Sequence, residues 1–248
     1  MPREWDAKTY DSLPLPHQQW GKRTLGRLNL RGTETVLDAG CGTGRDTASL
    51  LDLVPEGRVI GVDGSSRMLD QLRTKLAGRL DRLDVIEADL TRPLELGTQV
   101  DAVSSVATFH WITDHAALFA NLARSLRSGG QFVAECGGEG NVARINAAVD
   151  EVLGATQGEK VWYFAGVDET TERLEAAGFT DIEVTLLPDP ARLEPGEQLW
   201  SYLATVVLGS HLDRLPDSDH EDFVHAVADR LPEPVVDYVR LNITARRA

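Results

Sequence analysis

Apolar positions along this chain switch repeatedly between short runs and the three-to-four spacing of amphipathic helices. Residues 34–38, 58–63, 83–88, 100–106 and 131–136 are short apolar runs and predict five strands. Helical spacing fills the gaps between them. Leu50, Leu51 and Leu53 follow Gly44; Met68, Leu69, Leu72 and Leu76 follow Ser65, a residue suited to cap a helix N-terminus. A further helix over 115–126 is expected to stop at Ser128-Gly129-Gly130. Before the first strand, Pro14 and Pro16 lead into a helix over 17–30.

Beyond residue 141 the rhythm loosens. Helices are expected over 141–153 and 170–177, the second ended by Gly178, with a strand over 181–187. Two more helices, 196–209 and 217–231, lie between Pro/Asp-rich joints. Over 238–245, Val239, Leu241 and Ile243 alternate with Tyr238, Arg240 and Asn242, which predicts a last strand. Strand-helix alternation with short connections implies an α/β fold: a Rossmann-like, mostly parallel sheet with helices on both faces and a small helical cap. Right-handed crossovers would gather the strand C-termini on one edge, where such sheets bind ligands.

That edge carries the most informative stretch. Val36-Leu37-Asp38-Ala39-Gly40-Cys41-Gly42-Thr43-Gly44 runs from a strand tip through an acid into a glycine turn. Its spacing is G-x-G-x-G; Arg45 stands where the dinucleotide fingerprint has its third glycine, which disfavours a nicotinamide enzyme. Two more strand ends carry acids, Asp63 and Asp89. Together these elements resemble the class I S-adenosylmethionine-dependent methyltransferases. The stretch Phe109-His110-Trp111-Ile112-Thr113-Asp114-His115 resembles the trans-aconitate 2-methyltransferase group of that class. Trp5-Asp6, Tyr10-Asp11 and Cys136-Gly137-Gly138-Glu139-Gly140-Asn141 add to the likeness, which covers most of residues 5–187.

The resemblance implies a seven-stranded sheet with the last strand antiparallel and an N-terminal segment folded over the cofactor, where Tyr10 touches it. The expected division is 1–32, lid and first helix; 33–187, the cofactor-binding α/β core; 188–236, a helical cap insertion; and 237–248, the last strand of the core sheet. S-adenosyl-L-methionine, leaving as S-adenosyl-L-homocysteine, is the implied cofactor. Gly40 and Gly42 would allow its methionine part to approach the backbone, Asp63 would accept from the ribose hydroxyls, and Asp89 from the adenine amine. Leu90 and Met68 would sandwich the ring, with Asp38, Cys41, Gly64 and Val106 completing the set. An Asp/Asn/Ser-Pro-Pro-aromatic motif after the fourth strand, used for base methylation, is missing; Val106-Ala107-Thr108-Phe109 stands there.

Methyl transfer is an in-line displacement that rests heavily on positioning. A carboxylate or phenolate acceptor needs no base; an amine, alcohol or carbon acid would use one. His110 is the catalytic candidate, read as a base or as a core histidine beside Trp111. Trp111 is either a wall of the substrate site or core. Trp162-Tyr163-Phe164 form a lid over an apolar substrate or a packing patch. Asn141 and Arg144 are further substrate candidates. A polyanionic acceptor would call for several arginines, and Arg144, Arg192 and Arg240 are scattered in the sequence.

Composition narrows the partners. The 25 Lys and Arg against 39 Asp and Glu give a formal charge of −14, which opposes a nucleic-acid partner. Apolar content of 42% with 26% charged residues is ordinary for a globular domain. No apolar run approaches the roughly 18 residues of a membrane span, and the first residues lack a signal-peptide pattern. The two cysteines, Cys41 and Cys136, read as reduced thiols, and no Cys/His spacing or carboxylate set suggests a metal. The expectation is a cytoplasmic enzyme methylating a small molecule at oxygen, with a carboxylate as one candidate acceptor. Open alternatives are C- or N-methylation in secondary metabolism, or a cofactor-binding protein or cyclase on the same scaffold.

Overall fold

The computed structural model describes residues 17–154 and 162–248. Among them, seven strands form one sheet in the order β3-β2-β1-β4-β5-β9-β6. These are β1 (Thr35–Ala39), β2 (Arg58–Asp63), β3 (Leu83–Glu87), β4 (Val100–Val106), β5 (Leu126–Gly137), β6 (Phe179–Pro188) and β9 (Val239–Arg247). Neighbours from β3 to β5 pair in parallel, whereas β9 is antiparallel to both β5 and β6. The antiparallel last strand implied by the family resemblance is therefore present.

Period-two alternation sends successive β1 residues to opposite faces. Leu37 packs in a core with Val103, Leu118, Phe119 and Phe132. Val36 packs on the other side with Leu50, Leu51, Leu69 and Leu72. The helices supplying these layers are α2 (Arg45–Leu53) and α3 (Ser66–Lys75) on one face, with α4 (His115–Ser125) and α6 (Val167–Ala176) on the other. Ser65 caps α3 as expected, its hydroxyl accepting from the Met68 N–H.

Among the differences from the sequence expectation, three are the largest. The first helix, α1 (His17–Leu25), stops at Gly26, five residues short of the expected end at residue 30. The Ser128-Gly129-Gly130 stop lies inside β5: Leu126 already pairs with Val100, and the glycines fill a register shift before Gln131 joins Ala102. The expected 196–209 helix is broken into α7 (Glu197–Tyr202), a π turn (Leu203–Val207) and α8 (Gly209–Leu212). The Leu208 N–H reaches back to the Leu203 carbonyl, a one-residue bulge of a kind common at functional sites.

Topology puts the insertion over the ligand edge. β6 runs parallel to β1–β5 and ends where they end, with Pro188 opposite Val239. The chain leaves there, forms α7, α8 and α9 (His220–Ala228), and returns into β9. A two-residue ribbon closes the base: β7 (Ala191–Arg192) against β8 (Val235–Val236). With α5 (Ala143–Leu153) these helices build a third core around Ile145, Val149, Leu203, Phe223 and Val227. No helix among the described residues is long and apolar enough to cross a membrane.

Candidate active site

The strand ends and the insertion enclose a cavity of about 770 Å³, within the usual range of about 300–1,000 Å³ for small-molecule sites. Gly40, Gly42, Asp63, Gly64, Met68, Asp89, Leu90 and Val106 line its β1–β4 side. His110, Trp111, Asn141, Trp162 and Phe164 line the rest, together with residues the sequence reading did not single out.

The glycine turn is built from the inside. Gly40 has φ +83°, and a Cβ built there would collide with the Thr108 side chain, whose hydroxyl donates to the Gly40 carbonyl. Gly42 differs: at φ +52° it lines the cavity, and no protein atom lies within 4 Å of a Cβ built on it. A side chain there would enter ligand space. The Gly42 N–H donates to Asp63 Oδ2 and the Ser65 N–H to Asp63 Oδ1, each at 2.9 Å, so the half-buried carboxylate is oriented by its own loop. Asp89 sits exposed at the rim, accepting from the Thr91 N–H and hydroxyl, which hold its carboxyl below the usual range. Leu90 is fixed by Asn121, whose amide donates to its carbonyl.

Four candidates lie away from the cavity. Asp38 is buried behind the turn, accepting from the Thr47 hydroxyl at 2.6 Å. Cys41 is a buried thiol packed against Gly61 in the α2–α3 core. Arg144 borders a separate depression shared with Arg192, and Arg192 is paired with Glu233. Tyr163 points the opposite way from its neighbours, a consequence of extended-chain alternation. Trp162 and Phe164 stack at 5.6 Å on the cavity wall, while Tyr163 packs on His115 and donates to Glu169. The aromatic triplet thus serves both the cavity and the core. Tyr10, with Trp5, Asp6 and Asp11, lies outside the described residues.

Burial raises the Asp38 carboxyl to about 7, helped by the negative charge of Asp46 and opposed by the Thr47 hydrogen bond. The unfolded value is about 4. Between those values the folded state holds a proton that the unfolded state has lost, so this group subtracts stability as pH rises from about 4 to 7. Asn at this position keeps an acceptor for Thr47 without that penalty. The thermal midpoint of Asp38→Asn, relative to wild type, should therefore rise between pH 5 and pH 8; a pH-independent difference would argue against a buried acid.

His110 follows β4 in a single 3₁₀ turn (Phe109–Trp111). Its Nδ1 accepts from the Gly137 N–H at 3.3 Å, which leaves the proton of the neutral ring on Nε2. Burial, together with the positive charges of Arg240 and His115, holds it well below the usual histidine range. Two non-glycine residues lining the cavity, Ala107 and Val142, have positive φ, 57° and 49°. Such strain collects at ligand sites, and nothing in their sequence neighbourhood announces it.

The buried polar group the sequence reading passed over is Glu135 on β5. Its carboxylate takes Arg23 Nη2 at 2.6 Å and Nε at 3.1 Å, the Thr24 hydroxyl at 3.2 Å, and Arg240 Nε at 3.4 Å. Of the three arginines considered, only Arg240 lines the main cavity.

Comparison with known proteins gives the family. The model of a methyltransferase domain matches residues 36–130. An uncharacterised methyltransferase of Schizosaccharomyces pombe is 30% identical over 81% of this chain and 80% of its own. A trans-aconitate 2-methyltransferase of an Azoarcus species is 36% identical, over 51% of this chain and 48% of its own. The chain thus spans about half the length of the trans-aconitate relatives it matches. A Haemonchus contortus phosphoethanolamine N-methyltransferase, solved with S-adenosylhomocysteine, shares the fold with a TM-score of 0.60 at 18% identity, covering 93% of this chain and 52% of that one.

This chain belongs to the class I S-adenosylmethionine-dependent methyltransferases. It is an enzyme, and its cofactor is S-adenosylmethionine. The residues present fit that cofactor: the open space at Gly42 and the oriented Asp63 carboxylate lie on one cavity wall. Gly42→Ala should keep its fold, since the left-handed conformation costs alanine only about 1–2 kcal/mol and the Cβ meets no protein atom. Its affinity for S-adenosylhomocysteine should fall by about tenfold, read by calorimetry; wild-type affinity would remove Gly42 from the cofactor wall.

Proposed function

We propose that the acceptor is a small molecule methylated on a carboxylate oxygen. When bound, S-adenosylmethionine supplies a methyl group already activated by its sulfonium. The cofactor residues in this reading are Gly40, Gly42, Asp63, Gly64, Met68, Asp89, Leu90 and Val106. The acceptor side is formed by His110, Trp111, Asn141, Trp162 and Phe164, under a cap made of residues 188–236.

The observation that carries the reading is the state of His110. With Nδ1 spent on Gly137 and the proton on Nε2, the neutral ring donates and does not abstract. The Tyr238 phenol, which lines the same cavity, is pushed up to about 12 by burial and shares a hydrogen bond with Tyr202. The Asp114 carboxylate is engaged as the N-cap of α4. The acceptor end is thus supplied with donors, and a carboxylate is an acceptor that needs its charge held and no proton removed. The trans-aconitate relatives lend support, since the acceptor in their name is a carboxylic acid.

The test uses methyl-labelled S-adenosylmethionine with a panel of small acids, alcohols and amines. A methyl ester releases labelled methanol in mild base; ethers, methylamines and C-methyl products do not. Base-labile label is expected, with kcat flat from pH 6 to 9 because His110 stays neutral. Base-stable label would replace this reading by C-, N- or ether methylation, and cofactor binding without transfer would point to a non-methylating protein. The two buried free cysteines support a reducing, cytoplasmic setting.

A further inference from the structure

Arg240 is fully buried at the start of β9, opposite Gly137 at the ligand edge. Its guanidinium lies 3.7 Å from the centroid of the Trp20 ring. Nε makes the long contact to Glu135, whose short, two-pronged pairing is with Arg23. Neither terminal nitrogen of Arg240 has a protein acceptor among the described residues, and Nη2 is completely enclosed. Burying a guanidinium with donors unmet is costly, and such groups call for an explanation. Arg240 lines the cavity, so an anionic ligand there would supply the acceptor missing at its other terminal nitrogen, Nη1.

The surroundings describe the rest of that ligand. Trp20, Val142, Trp162, Phe164, Val207 and Tyr238 make the adjoining wall apolar and aromatic. Polar groups on the same cavity include the Asn141 amide, whose Oδ1 is taken by the Val239 N–H, the Nε2–H of His110 and the Ser210 hydroxyl. Among the described residues Arg214 is the other arginine on this cavity, whereas Arg144 and Arg192 belong to the separate depression. Among the described residues a compact tricarboxylate would meet two arginines, Arg214 and Arg240, and a largely aromatic wall.

We infer that Arg240 anchors the carboxylate of the acceptor, and that the acceptor is a monocarboxylic acid with an apolar or aromatic body. This rests on the carboxylate reading above. One carboxylate oxygen pairs with the guanidinium. The other forms the new bond to the methyl carbon as the carbon–sulfur bond breaks, its electron pair staying on sulfur. No proton is moved. The ester product is neutral, so Arg240 holds it less well than the acid, which favours its release.

The test titrates the S-adenosylhomocysteine-loaded protein with phenylacetate, indole-3-acetate, octanoate and trans-aconitate, each monoacid beside its primary amide. At least one monoacid should bind ~10-fold or more tightly than both its amide and trans-aconitate, the scale of one charge-assisted contact. Arg240→Gln should erase that advantage, with S-adenosylhomocysteine affinity as the control. If no monoacid outranks its amide, or trans-aconitate binds best, the inference fails on wild-type protein alone, whether or not the variant folds. Base-labile methyl transfer that survives Arg240→Gln would remove the anchor and leave carboxylate methylation standing. Transfer only to an alcohol, amine or carbon would remove the reading beneath it.

Discussion

Asp63→Ala should weaken S-adenosylhomocysteine binding by about 100-fold. The carboxylate is the acceptor expected for the two ribose hydroxyls, and hydrogen bonds to a charged group contribute about 1.5–3 kcal/mol each, so losing two reaches that factor. The same substitution strips the Gly42 and Ser65 N–H groups of their acceptor, loosening the loop that forms the cavity wall. Asp63→Asn separates these effects: it keeps the shape and one acceptor oxygen, and should fall between the two. Calorimetry on protein with a normal thermal midpoint reads the result. A folded Ala variant that binds like wild type would take Asp63 out of the cofactor site.

Glu135→Ala should destabilise the fold by about 3–5 kcal/mol, the range for removing one partner of a buried ion pair. The Glu135 side chain is wholly inaccessible, and its loss leaves Arg240 buried without its carboxylate. It also removes two ties between α1 and β5, because Arg23 and Thr24 both donate to this carboxylate, while Arg23 and Trp20 keep their bonds to Asp189. Arg27 remains, donating to the Ala134 carbonyl. Glu135→Gln retains the acceptor oxygen and should lose less. Denaturant midpoints of the three proteins check the order; an Ala variant within about 0.5 kcal/mol of wild type, the range of an ordinary surface change, would show the network to be dispensable.

These two residues differ in how far the sequence reveals them. Asp63 ends a strand one unit beyond a glycine turn, and both features are local. The turn itself is legible for the same reason: three glycines at alternate positions constrain the backbone wherever they occur. Glu135 sits unremarked inside an apolar run, and its partners lie 105 and more residues away in sequence. Burial of a charge is decided by what packs over it, so no periodicity within β5 carries the signal.

Boundaries show the same division. The strands and the Ser65 cap follow from alternation and side-chain chemistry within a few residues. The Gly129-Gly130 pair reads locally as a stop, yet β4 captures Leu126 first and turns the glycines into a bulge. The triplet Trp162-Tyr163-Phe164 is visible as an oddity, but only its extended path between cavity and core assigns two rings to one side and the third to the other.

By itself, then, the sequence determined the α/β alternation, the glycine turn and the strand-end acids, hence the fold class and the cofactor. Tertiary structure alone decided which groups face the cavity: that Arg240 lines it while Arg144 and Arg192 do not, that His110 is buried with Nδ1 taken by the Gly137 N–H, and that Asp38 and Cys41 stand behind the loop. The physical reason is range. Backbone conformation and capping are set by neighbours along the chain, whereas burial, unmet donors and shifted protonation are set by groups that meet only when distant segments pack.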